Sequence, residues 1–185
     1  MSGPETVDRC LAACCDRAIG VALLQQHRPY WELLPSLRRP AESLLPLPLP
    51  LVRRRERLVS DRGVETVVNL TPVPCELVFL LCDPEWKVKV GPDICLLIHR
   101  PEESFNDLLD RWRKTQICLS QPYEWHLEET QKQFQAEAGE AVLPLFLLQP
   151  DGPELIRKAL TTVGLPWVTL PLELPEVNNL VPAIG

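Results

Sequence analysis

Apolar residues recur along this chain with two different periods. Near the start, Val7, Leu11, Cys14, Cys15, Ala18, Ala22 and Leu23 form one stripe at helical spacing. That stripe predicts a single amphipathic helix over about residues 4–26. Ser2 and Glu5 have capping-box spacing, and Pro4 suits a first turn. Prolines then take over. Pro29, Pro35 and Pro40 punctuate the segment that holds Tyr30, Trp31, Leu33 and Leu34. Beyond it, Pro46-Leu47-Pro48-Leu49-Pro50 alternates strictly, which favours an extended, polyproline-like path.

The middle of the chain reads as strands. Leu51–Ser60 and Val64–Leu70 form a hairpin around Asp61-Arg62-Gly63, with Gly63 in the left-handed position of a three-residue loop. Arg57 and Glu65 are expected as cross-strand neighbours. Glu76–Cys82 is apolar enough for a strand buried on both faces. Trp86–Val90 alternates like a half-exposed strand with its lysines outward, and Ile94–His99 is a further apolar strand. A helix is expected over Glu102–Lys114, begun at the Pro101 junction rather than at Ser104. A second, mostly solvated helix is expected from Tyr123 to Glu137. The last third reads strand (Leu143–Gln149), helix (Pro153–Val163, ended by Gly164), strand (Leu165–Leu170). This is a βαβ unit with parallel pairing. The predicted fold is mixed α/β: an N-terminal helix, then an antiparallel hairpin and meander running into the βαβ unit. One mixed sheet is flanked by helices, in a single domain over residues 1–170 with an irregular tail at 171–185.

Composition narrows the function. A chain of 185 residues is about one domain and needs no disulfide or metal staple. Its 33 leucines and 20 prolines make short, apolar elements. The net charge of -6 argues against a general electrostatic grip on nucleic acid. That charge is regional: no lysine precedes Lys87, every charged cation before it being arginine, and most of the acidic excess lies after it. The arginine strand Arg53-Arg54-Arg55-Glu56-Arg57 therefore stands apart, either as a solvated strand face or as an import patch, the former fitting the alternation better. Seven scattered cysteines without a secretory signal are expected to be reduced and mostly buried, in the cytoplasm, the nucleus or both. No apolar run approaches the roughly 20 residues of a membrane span.

Candidate chemistry is sparse. His27, His99 and His126 have no nucleophile or metal partner at a useful spacing, and CxxC, HExxH, GxSxG and phosphate-loop motifs are missing. Cys95 and His99 are four apart on one strand, about 13 Å by rise, too far for a catalytic pair. No cofactor or metal is expected. The order helix, strand meander, helices over about residues 4–140 is similar to that of ubiquitin-conjugating and RWD-type domains. Conjugating enzymes place their nucleophilic cysteine between the last meander strand and the next helix. Here that stretch is His99-Arg100-Pro101-Glu102-Glu103, without cysteine, so the resemblance implies no conjugating activity; the later βαβ unit departs from it.

Three functional expectations follow. The first is a non-enzymatic interaction subunit of a larger intracellular complex, binding other protein subunits through Tyr30, Trp31, Leu33 and Leu34. The second is a subunit of a nuclear genome-maintenance-type complex that contacts nucleic acid through Arg53, Arg55 and Arg57, aided by Arg38 and Arg39. The third is a small enzyme with its site at the strand ends near Asp83, Arg100 or Asp151.

Overall fold

A computed structural model describes residues 3–134 and 137–171. The capping residue Ser2 and the tail beyond Pro171 lie outside the described residues. The N-terminal stripe folds as two helices, α1 (Gly3–Cys14) and α2 (Arg17–Gln25), where one was expected. Asp16 makes the break: its carboxylate accepts from the amides of Ala18 and Ile19 and starts a new helix. A single turn, α3 (Arg28–Trp31), follows.

The leucine–proline alternation becomes a strand, β1 (Leu44–Pro48). It is followed by β2 (Leu51–Ser60), β3 (Gly63–Pro72), β4 (Leu77–Leu81) and β5 (Asp93–Ile98). Next come α4 (Phe105–Cys118), the two-residue β6 (Glu124–Trp125), β7 (Val142–Leu148), α5 (Glu154–Thr162) and β8 (Trp167–Thr169).

The fold is mixed α/β. A five-stranded sheet has the order β1-β4-β5-β7-β8, antiparallel through β1, β4 and β5 and parallel through β5, β7 and β8. The hairpin does not join it. β2 and β3 pair with β6 in a separate antiparallel sheet of order β3-β2-β6.

Both faces of the main sheet are covered, which is why its strands read as unbroken apolar runs. On one face α1, α2 and Tyr30 pack over Leu44, Phe79, Ile94, Leu96 and Leu145. On the other, Leu108 and Trp112 of α4 and Ile156 and Leu160 of α5 join Val52 and Trp125 over Val78, Leu80, Leu97 and Phe146. Both outer edges are closed to further pairing. Pro46 and Pro48 deprive β1 of amide donors. At β8, the Gln26 side chain donates to the Thr169 carbonyl (2.7 Å) and accepts from its amide (3.0 Å), as an extra strand would.

Three further sequence expectations are corrected. Trp86–Val90 is not a strand: Asp83 folds the chain into a turn by accepting from the amides of Glu85 and Trp86, and Lys89 is buried rather than outward. Tyr123–Glu137 is not a helix but β6 and a short 3-10 turn, among its described residues. Ser104, not the Pro101 junction, caps α4, accepting from the Asp107 amide at 3.1 Å and donating to its carboxylate at 2.7 Å.

Candidate docking ribbon

The hairpin's turn is Asp61-Arg62, so Gly63, at φ 122°, is already the first residue of β3. The loop is one residue shorter than expected, and this sets the register. Arg57 stands opposite Thr66, and Leu58 opposite Glu65. Arg57 and Glu65 therefore lie on opposite faces and are not the expected pair.

This register sorts the side chains. One face carries Arg53, Arg55, Arg57 and Val59 from β2, beside Leu70, Val68, Thr66 and Val64 from β3. No acidic residue of either strand falls on it. The other carries Arg54, Glu56, Leu58, Glu65 and Val67. The arginine face is open to solvent along its length: Val59 is 82% exposed, and Val64, Val68 and Leu70 are each about half exposed. A two-stranded ribbon is marginal by itself in water, so what holds its base matters.

That base is held through β6. Val52 pairs with Trp125, and Arg53 with Glu124. Trp125 Nε1 and Tyr123 Oη donate to Asp93 Oδ2 at 2.9 and 2.8 Å, and the Gly139 amide donates to the same oxygen at 2.8 Å. Lys89 Nζ sits 2.6 Å from Asp93 Oδ1. Burial, and then the charge of Asp93, push the Tyr123 hydroxyl well above its usual range. A charged carboxylate buried at the start of β5 thus fastens the small sheet to the large one. Gly139 admits no side chain there, since a Cβ would lie 2.8 Å from Asp93. On the underside of the ribbon, Arg54 Nη2 reaches Cys118 Sγ at 3.6 Å, at the end of α4.

The remaining predicted positions are scattered. Tyr30 is buried and donates to the Pro144 carbonyl at 2.7 Å, and Leu34 is buried beside it in the core. Trp31 packs partly against that core, and Leu33, 39% exposed, is the one of the four that faces solvent. Arg39 is paired with Glu42 and Glu85. Asp83 follows β4, which runs against β5, so it lies at the opposite end of the sheet from Arg100 and Asp151. Those two follow neighbouring parallel strands, but α1 lies over that end: Cys10 Sγ accepts from Gln149 Nε2, and Gly3 faces Pro101. The cleft left there, about 410 Å³, is lined by Gly3, Pro4, Val7, Asp8, Arg100 and Pro101.

A second charged cluster sits at the same end and is engaged internally. Arg111 binds Glu76 (2.5 Å), Glu103 (2.7 Å) and the Ile98 carbonyl (2.7 Å), and Arg100 also reaches Glu76 at 3.2 Å. Burial works to lower the Arg111 pKa, but the hydrogen bonds and charges of Glu103 and Glu76 outweigh it and raise it. His99 is buried, with Nε2 2.9 Å from the Glu103 carbonyl. Among the described residues, no group of three or more His, Cys, Asp or Glu side chains is placed to hold a metal ion. No helix among them is long and apolar enough to cross a membrane.

The chain matches no known protein family, and neither a curated protein nor a solved structure resembles it significantly.

Proposed function

We propose that this protein is a non-enzymatic interaction subunit of a larger intracellular assembly, and that the β2–β3 ribbon is the surface it offers to another protein. One observation carries the reading. The chain closes both edges of its main sheet, yet it holds out a ribbon whose solvent face sets three arginines beside Val59, Val64, Val68 and Leu70. Contiguous exposed apolar surface rimmed by polar groups marks protein contact sites. Arginine is also among the residues that dominate interface energetics. The Tyr30–Leu34 segment contributes less, because Tyr30 and Leu34 are occupied in the protein's own core.

The test is a ribbon-shortened variant in which residues 57–66 are replaced by an Asn-Gly turn. It should keep the circular dichroism and thermal midpoint of the parent. Purified from native cells, it should lose the stoichiometric protein partners that the parent retains. Unchanged partners on the shortened variant would refute the reading.

A second reading has one observation in its favour: a two-stranded ribbon fits the major groove of DNA, and Arg53, Arg55 and Arg57 share its exposed face. It predicts binding that falls steeply with salt. The overall charge of -6, and an apolar row that gains nothing from phosphates, favour a protein partner.

A further inference from the structure

The ribbon has free backbone edges as well as an exposed face. On one side of β2, the ladder ends at Arg53, where β6 stops. From Arg54 to Ser60, β2 has no strand partner on that side among the described residues. Such an edge accepts an added strand, in the manner of β-augmentation. The chain supplies a short example of what fits. β6 runs antiparallel to β2 and sets an acidic residue, Glu124, opposite the first arginine of the row, Arg53. It then turns away, as Tyr123 is drawn to Asp93 and Pro122 offers no amide donor. Arg55 and Arg57 continue the row with no acid opposite them, at intervals of roughly 7 Å given the strand rise.

We infer that the ribbon's partner is an extended segment of another protein that pairs antiparallel with the free edge of β2, in line with β6, and carries acidic residues at alternate positions opposite Arg55 and Arg57. This rests on the docking reading above and deepens it. Charge selects the occupant. The arginine face has no acid on either ribbon strand, so an alternating acidic strand neutralises it, whereas a lysine-bearing one is repelled. A second copy of this chain pairing through its own ribbon would bring arginine opposite arginine. The intervening side chains of such a strand fall on the other face, beside Arg54, Glu56 and Leu58, where the charges are mixed.

The probe is a synthetic peptide of alternating glutamate and valine, about eight residues long, titrated by fluorescence anisotropy onto the full chain. Two controls accompany it, alternating lysine and valine, and the glutamate peptide with proline at its central positions. The glutamate peptide should bind, and both controls should bind roughly tenfold more weakly or worse. The double variant Arg55→Glu/Arg57→Glu, both positions being exposed, should lose the glutamate peptide by a similar factor and gain the lysine one. The inference is overturned if the two unbroken peptides bind alike, if the double variant binds like the parent, or if single-stranded oligothymidylate binds the ribbon more tightly than the peptide. It is equally overturned if the ribbon only mediates self-association in sedimentation. The two readings fail differently. Native partners lost from the shortened ribbon but kept by the double variant would sink the acidic strand and leave docking intact. Partners kept by the shortened ribbon would sink both.

Discussion

The Lys89 ammonium lies 2.6 Å from Asp93 Oδ1, with both side chains almost wholly buried. Three further donors, from Tyr123, Trp125 and Gly139, converge on the other carboxylate oxygen. Removing the two partners should therefore have unequal effects. Asp93→Ala strands a buried cation and three donors, and is expected to cost about 3–5 kcal/mol. Lys89→Met leaves the carboxylate with its three donors and should cost clearly less. Urea titration of both variants measures the difference. A Lys89→Met protein at least as unstable as Asp93→Ala would show that the ion pair, not the donor cluster, holds β6 and the ribbon base.

The Gln26–Thr169 pairing predicts a local effect. Gln26→Ala removes the side chain that satisfies both backbone groups of Thr169 at the β8 edge. Global stability should fall by about 1 kcal/mol, and exchange of the Thr169 amide hydrogen should accelerate roughly tenfold. Gln26→Glu keeps the acceptor and loses the donor, so that amide should stay better protected than in Gln26→Ala. Equal exchange at Thr169 in all three proteins would mean that packing, not the amide pairing, closes this edge.

Much of the fold was legible in the sequence where burial is two-sided. β4, β7 and, after Asp93, β5 are apolar runs because helices cover both faces. The misreadings have identifiable causes. Tyr123, Trp125 and Leu127 alternate, which is a strand signal, but the surrounding glutamates and glutamines resemble a solvated helix. Trp86–Val90 alternates as convincingly, and there the burial of Lys89 against Asp93 overrides the pattern. The arginine row was visible at once. What makes it a surface, the apolar row beside it, depended on a register that differs by one residue when the turn has two residues instead of three. An Arg57–Glu65 pair would have set Glu65 and Asn69 beside the arginines, and the observed register sets Val64, Thr66, Val68 and Leu70 there. That the hairpin leaves the main sheet depends on Asp93 meeting Trp125, a contact between distant positions that no local pattern announces.

Alkaline pH should expose the buried thiols. Burial, with smaller contributions from Cys10 and Cys15, pushes the Cys14 thiol from 9.0 up to about 12, and burial chiefly raises Cys82 to about 11. In the unfolded chain these groups ionise near their ordinary value, so above about pH 9 the unfolded state binds fewer protons than the folded one. Their contribution is complete below pH 9 and is lost as pH rises through the folded values. Under reducing conditions, stability should therefore decline across that window, with Cys14 supplying at most about 1.4 kcal/mol for each pH unit. Cys14→Ala removes the titrating group and leaves a small, pH-independent packing loss. Its stability should start below that of the parent at neutral pH and converge on it, or cross it, as the pH approaches 12. Parallel profiles for the two proteins between pH 9 and 12, from urea unfolding at each pH, would show that Cys14 ionises as readily in the folded chain as in the unfolded one.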